Sequence, residues 1–588
     1  MIKIKFETFT DYLEKLENTT SQTEMIEILS EIFKESEKQE INKICYLILG
    51  QIGPEYEDIK LGMDEKMVQQ VISLAANVDK ESVENETKNL GDIGNTAQKI
   101  IKTRENKFKE FFNYKDVLSV NDVYNAFRKI ATASGEGSYE IKKKTLASML
   151  IEADQLSKKY IARLANGRMR LGVGDMTILY GLSVSVFKTK EKKDELEHAY
   201  NVSSDIGYVA KILFKKGIEG VKRIDITLNK PIKAMLAQRI SDFSKIKDKI
   251  SSENIAAEEK YDGERIQAHK EGKNVKLFSR RLTNVTKQFP DVVEKINRHV
   301  KVENVILDGE IVAYDFEDKK FYPFQKLMQR RRKYKIKEYR EKIPVKYICF
   351  DVLYINNESF LKKCYPDRRK ELENVLESSK YIDLAGRVVS SNLDTIDSFF
   401  QDCIDRNLEG IVCKSCAEDS YYRAGAREWS WIKWKKEYIS NLTDTFDLVI
   451  VGAFAGRGRR SGTYGAILCA AYNHADDIFE TVTKLGTGFT DKQLEQLPEK
   501  LADVLVDKKP ARLDLNKNME PDYYFAPEYV IEALGSEITK SPVHTCNWNE
   551  EEKQGMALRF PRFIRWRGEK SPEQATTSEE ILQMYEEQ

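Results

Sequence analysis

The sequence predicts a multidomain protein: an all-α region over residues 1–222, a region of short strands over 223–436 and a small β-barrel over 437–588. Three observations lead there. The chain has 588 residues with 41% apolar content, enough for about three or four domains of ordinary size. Apolar residues recur at helical spacing in the first region and alternate in short runs after it. Turn residues bound the later runs so closely that the last roughly 150 residues fit a small barrel.

In the first region "TEMIEILSEIF" places Ile26, Leu29, Ile32 and Phe33 on one helical face. The stretch "RLANGRMRLGVGDMTIL" sets Gly167, Gly172 and Gly174 among Arg163, Arg168 and Arg170, ahead of a helix that Asp175 or Thr177 can cap. A glycine-rich approach to a helix N-terminus presents bare backbone N–H groups suited to a phosphate. A tight turn between helices with exposed arginines explains the same residues without a ligand. In the second region "RIQAHK", "VKLFSR", "NVILDGEIVAYD", "VKYICFDVLYI", "EGIVCKS" and "WSWIKWKK" read as strands, and in the third "DLVIVGAF", "AILCAAY" and "TVTKLGTG" do so around the loop "AGRGRRSGTYG".

Lysine plus arginine equals aspartate plus glutamate at 95 each, which argues against a molecule-wide polyanion-binding field and leaves room for local basic surfaces. No apolar run approaches the roughly 18 residues of a membrane span, and "MIKIKFETFT" is acidic early and lacks the apolar core of a signal peptide. A cytoplasmic protein without a membrane partner is expected. Of eight cysteines, Cys413 and Cys416 form a C-x-x-C with no second pair or nearby His to complete a zinc site, and "GIVCKS" reads as a buried strand.

The chemistry gathers around "EEKYDGERIQAHK", residues 258–270, where Lys260 follows two glutamates and precedes Asp262 and Arg265. A lone K-x-D-G is weak evidence. Its company at strand ends is stronger: Arg280 in "FSRR", Glu310 in "LDGEIVAYD", Phe350 beside Asp351, Glu409 and Lys414 in "LEGIVCKS", and Arg427, Lys433 and Lys435 in "AREWSWIKWKK". "ALRFPRFIRWRGEK" adds Arg559, Arg562, Arg565 and Arg567. On a strand, Trp431, Lys433 and Lys435 share one face while Ile432 and Trp434 share the other. The cationic face suits phosphate; a solvated edge strand shows the same alternation. A carboxylate beside an apolar strand is costly unless paired or metal-bound, so Glu310 and Glu409 suit Mg2+ bridging nucleotide phosphates.

Together these segments resemble the covalent nucleotidyltransferase superfamily, and most closely the ATP-dependent DNA ligases of the archaeal and eukaryotic replicative type. The resemblance runs nearly end to end, through "KYDGER", "SRRLTNVTKQFPDV", "LDGEIVAYD", "EGIVCKS", "WIKWKKEY", "KLGTGFTD", "SEITKSPVHT" and "RFPRFIRWR". It implies a helical DNA-binding domain over 1–222, an α+β nucleotidyltransferase (adenylation) domain over 223–436 and an OB-fold barrel over 437–588. It also implies that Lys260 takes AMP from ATP, passes it to the 5′-phosphate at a nick in double-stranded DNA, and that the 3′-OH then attacks to seal the strand in replication, recombination and repair.

By the same resemblance Glu258 faces the adenine, Phe350 stacks on it, and Arg265, Arg280, Arg427 and Lys433 hold sugar and phosphates. Glu310 contacts the ribose or a metal and Glu409 the metal, Mg2+ with Mn2+ as substitute; Asp262 orients the lysine or shares the metal. Lys414, Lys435, Arg559 and Arg562 are further candidates. The C-terminal arginines can serve the first step only if their domain closes over ATP. "RLGVGD" is expected to contact DNA backbone, so that affinity falls with salt, and "QRRRKYKIKEYR" (329–340) is either a further backbone contact or a solvated helix face. "KFKEFFNYKD" (107–116, Phe108 to Phe112 within it) stands where relatives carry a sliding-clamp-binding sequence, with Phe108 in place of the usual glutamine; a buried aromatic loop is the other reading. A monomer in a prokaryotic, archaeal-type cytoplasm associated with the nucleoid is expected. RNA-capping enzymes and RNA ligases would share Lys260 but not the helical region; NAD-dependent ligases would add a zinc site; a scaffold without chemistry would have lost Lys260, Glu310 or Lys433.

Overall fold

The computed structural model describes residues 4–90, 92–102, 118–240, 242–322, 324–330, 336–406, 408–435, 444–455, 463–535 and 537–587. The segment 107–116, much of the run 329–340, the boundary at 436/437 and most of the loop 455–465 lie outside the described residues.

Helices succeed one another from Phe6–Asn18 to Ile206–Val221. Ser21 caps Gln22–Glu35 by accepting from the Glu24 N–H, and the face expected from the sequence, Ile26, Leu29, Ile32 and Phe33, is buried. That face packs on helix Asp175–Phe187, where Gly181 approaches Leu29 closely.

Arg163 is not an exposed arginine. It is buried, with its guanidinium on Asp92 (3.1 Å) and Glu17 (2.8 Å). Nor does Asp175 or Thr177 cap the helix: the capping position is Gly174, which supplies no side chain, and Asp175 instead accepts from Tyr200. The bare N-terminus is filled from far along the chain. Asp477 accepts from Thr177 N (3.1 Å) and Thr177 Oγ1 (2.8 Å), while Arg168 reaches Asp503 (2.7 Å) and Arg170 the Leu505 carbonyl (2.8 Å). The anion that the glycine-rich approach suits is thus, in this arrangement, a protein carboxylate.

The middle region holds two sheets. One runs in the order Leu236–Arg239, Arg427–Lys435, Gly410–Ser415, Ile255–Lys260, Arg387–Ser390. Its central strands are antiparallel, with Gly410 opposite both Lys260 and Lys435, Val412 opposite Glu258 and Lys433, and Lys414 opposite Ala256 and Trp431. Residues directly opposite share a face, so one face carries Glu258, Lys260, Lys414, Trp431, Lys433 and Lys435. The reverse face, with Ala257, Ile411, Cys413, Ile432 and Trp434, is core against Ile396, Phe400 and Cys403 of helix Leu393–Asp405. Cys413 is therefore a core residue of a strand, as its neighbours suggest; it and the other seven cysteines are free thiols.

The second sheet has seven strands, among them Glu264–Glu271, Asn304–Asp315 and Val345–Ile355. Asp308 pairs with Asp351 and Gly309 with Cys349, which leaves Phe350 as the extra residue of a bulge. Bulges re-aim a side chain, and this one turns Phe350 out of the ladder.

The last region is rich in strands. Asp444–Ala455 pairs with Tyr464–Asn473 and with Val530–Gly535, and the chain closes with helix Ser578–Glu586. Apart from a solvated helix face as one reading of 329–340, patterning had marked strands after residue 223; helices Pro290–His299, Tyr365–Val375, Leu393–Asp405, Asp491–Leu501 and Ser578–Glu586 stand among them. Among the described residues no helix is long and apolar enough to cross a membrane.

The seam between the first and last regions turns on Asp477, 1% exposed and paired with Arg512, which also holds Glu573 at 3.0 Å. Removing one partner of a buried pair strands the other charge. Asp477→Ala should lower stability by roughly 3 kcal/mol, read from the denaturant midpoint, whereas Asp58→Ala at an exposed pair with Lys60 should change it by less than about 1 kcal/mol.

Candidate active site

A cavity of about 770 Å³ opens where both sheets of the middle region meet the last region. At one corner stands Lys260, at the end of its strand, with its ammonium on Glu409. Glu409 precedes Gly410 and is shared with Lys435. Gly410 has φ +146°, and a Cβ there would lie 2.1 Å from the Trp434 carbonyl; only glycine lets the three strands come this close. The two glutamates before the lysine are aimed away from it. Glu259 turns to Arg406 (2.6 Å) and Tyr261 on the reverse face; Glu258 turns to Lys414 (2.5 Å) and Arg369 (3.1 Å).

Glu310 faces the Lys260 corner from the other sheet, directly opposite Arg265. Burial pushes its carboxyl up to about 8, with Glu409 and Asp308 adding to the rise and Lys260 and Arg265 opposing it. Glu409 is held well below the usual carboxylate range: burial opposes this, but Lys260 and Lys435 outweigh it. Two coupled carboxylates beside the cavity are a donor set for a hard cation that takes its other ligands from phosphates and water. Among the described residues no group of three or more His, Cys, Asp or Glu forms a self-sufficient metal site. Asp262 is exposed and accepts from the Phe324 N–H (3.0 Å); that contact neither orients Lys260 nor joins the carboxylate pair.

At the other end the bulged Phe350 meets Trp431 edge-on (6.4 Å). Arg265 lies 5.3 Å from the Phe350 ring centroid and holds Asp308 with two bonds (2.7 and 3.1 Å). Lys414, a further candidate in the sequence, lines the cavity but lies buried under this aromatic pair and is paired with Glu258.

Between the two ends the cavity is crowded with positive charge. Arg280 lines it, and its Nε is buried without a hydrogen-bond partner among the described residues. Burial, then Arg265, Arg427 and Arg567, push its guanidinium down to about 10. Burial likewise lowers Lys433 well below the usual lysine value, with Arg427, Lys570 and Lys435 adding to the effect and Glu580 opposing it. Lys570 is pushed down to about 8 by burial, against the pull of Asp447. Arg427 is held by Glu580, and Arg567 by Asp447 and Glu532 (both 3.0 Å). Cations that depress one another in a buried pocket are relieved by an anion of several charges.

The C-terminal arginines divide differently from expectation. Arg559 and Arg562 are exposed and do not line the cavity; Arg565 and Arg567 do, together with Lys570. A register shift in the pairing of Arg562–Trp566 with Val530–Gly535 places Arg565 opposite Glu532, which alternation alone would not reveal. Lys570, Asp447, Glu532 and Glu580 carried no strand-end pattern and were missed.

Three family models match: the ATP dependent DNA ligase domain over 234–435, the DNA ligase N terminus over 5–183 and the ATP dependent DNA ligase C terminal region over 460–570. The chain belongs to the ATP-dependent DNA ligases. DNA ligase 1 of Methanosarcina mazei is 42% identical over 98% of this chain and 99% of its own, and DNA ligase 2 of Thermofilum pendens 43% identical over 100% and 98%. A mycobacterial DNA ligase D complexed with ATP and MES aligns with TM-score 0.31 at 24% identity, covering 58% of this chain and 98% of that one. This ligase thus takes ATP as its nucleotide, and nick sealing in DNA is its general activity.

Because the Glu310 carboxyl rises from 4.5 to about 8 on folding, the folded ligase keeps a proton there that the unfolded chain gives up. That contribution to stability is complete below 4.5 and is lost as pH rises through about 8. Without nucleotide or divalent metal, the denaturant midpoint should fall between about pH 5 and 9, and Glu310→Gln should flatten the fall.

Proposed function

We propose that Lys260 is the nucleophile through which this ligase carries AMP, and that the cavity around it is the ATP site. One observation carries the reading. The Lys260 amine stands where carboxylates from two sheets meet, facing a crowd of cations that includes Arg280, whose Nε the described protein atoms leave unpartnered.

Lys260 Nζ bonds to the α-phosphorus, the bond from that phosphorus to the bridging oxygen breaks, and pyrophosphate leaves. Glu409 orients the amine through their ion pair, and the amine's proton passes to solvent. Arg280 and Lys433, with Arg567 and Lys570 from the last region, stabilise the charge that builds on the phosphates. Phe350 offers a stacking face for adenine, Glu258 its polar edge, and Arg265 and Arg427 flank sugar and phosphates. Glu310 and Glu409 would hold Mg2+, or Mn2+ in its place, which when bound neutralises phosphate charge. AMP then passes from Lys260 to the 5′-phosphate of the nick, the phosphoramidate bond breaking as the pyrophosphate link of DNA-adenylate forms. The 3′-OH displaces AMP and seals the strand.

The division at 222/223 is read from the change from helices to short strands, and that at 436/437 from the further run of strand-like segments that follows in the sequence. Nicked double-stranded DNA is the substrate, gripped by backbone through the helical region. A monomeric protein acting in replication, recombination and repair in the cytoplasm suits these features, and a sliding clamp would be met through 107–116.

Incubation with α-³²P-ATP and Mg2+ should label the wild-type chain. Lys260→Ala should carry no label, and the wild-type label should discharge onto nicked DNA. Label from NAD or GTP alone would overturn the ATP site. Arg280→Ala should slow self-labelling about 100-fold at saturating ATP, the usual scale for removing one charge-stabilising group.

A further inference from the structure

The end of the cavity beside Phe350 holds a polar cluster that the phosphoryl chemistry does not use. Glu258, on the same strand face as Lys260, is 2% exposed. Three donors converge on its carboxylate: Tyr365 Oη (2.5 Å) and Arg369 Nη1 (3.1 Å) on Oε1, and Lys414 Nζ (2.5 Å) on Oε2. A carboxylate offers about four acceptor positions, so one remains, and Glu258 lines the cavity. Tyr365 and Arg369 come from one helix, Tyr365–Val375. Its Arg368 grips Asp351, the residue after Phe350, with two bonds (2.8 and 3.0 Å) between fully buried side chains. Arg369 is itself fixed by the Ala385 carbonyl and Glu373, both at 2.9 Å. One helix therefore sets both the ring on which a base stacks and the carboxylate at that base's edge.

We propose that Tyr365 and Arg369 determine the purine selectivity of the nucleotide site, by fixing Glu258 as an acceptor for the 6-amino group of adenine. The 6-oxo group of guanine would present an acceptor to an acceptor in a buried place, a mismatch worth on the order of 10- to 100-fold. Neither residue need touch the nucleotide; both are positioning residues. The inference rests on the reading of this cavity as the site where ATP loads Lys260.

Tyr365→Phe removes only a hydroxyl, and Arg369→Met removes the charge at similar length. Self-labelling of the full chain would be measured with α-³²P-ATP and α-³²P-GTP separately, with GTP also titrated as a competitor of ATP labelling so that a ratio is obtained even where GTP labelling is weak. Tyr365→Phe should lower the ATP-over-GTP ratio about 10-fold, through a raised KM for ATP, with kcat and melting temperature near wild type; Arg369→Met should lower it further. A purely structural role would instead slow both nucleotides alike and lower the melting temperature. Parallel losses, or an unchanged ratio in both variants, would overturn the inference and leave Lys260 as nucleophile. Absence of ATP label on folded, AMP-free wild-type protein would overturn the underlying reading instead.

Discussion

Arg280, Lys433 and Lys570 stand half-buried in one cavity, each depressed by desolvation and by other cations, and this repulsion is the constraint on which the site depends. Burying charge without a partner is expensive. The fold offsets part of the cost with Asp447, Glu532 and Glu580, all supplied by the last region.

The same logic governs the Lys260 corner. Glu409 lies between two ammonium groups, and Glu310, across the cavity, keeps its proton to a higher pH than a free carboxylate. Both are placed by local devices: Gly410 allows three strands to close up behind Glu409, and the register with Arg265 aims Glu310. Electrostatics also binds the first region to the last, since the helix N-terminus beside Arg168 and Arg170 holds Asp477. The Thr177 N–H and hydroxyl are thereby both spent on Asp477.

Much of this was legible in the sequence. Strands with "EGIVCKS" and "WSWIKWKK" announce which side chains share a face, because alternation is a local property of extended backbone; Lys433 and Lys435 were placed that way, whereas Lys260 was singled out within "EEKYDGER" and Glu310 and Glu409 by the glycine beside each. Elsewhere local reading failed for identifiable reasons. Arg163 looked like a surface arginine because Asp92 and Glu17 are remote in sequence. Lys414 could not be matched with its partner Glu258 because the two lie on different strands. Helix Tyr365–Val375 was missed because arginines at its core face, Arg368 and Arg369, break the apolar pattern while filling a core role.

The sequence by itself determined the kinds of reactive group, their order along the chain and the faces they occupy, since these follow from composition and from the periods of strand and helix. Tertiary structure alone decided which charges keep a partner. Arg427 meets Glu580, 153 residues away; a one-residue bulge frees Phe350; a register shift brings in Arg565 while Arg559 and Arg562 face solvent. Pairing and burial depend on contacts between distant segments, and no local pattern encodes a contact whose two halves lie in different regions of the fold.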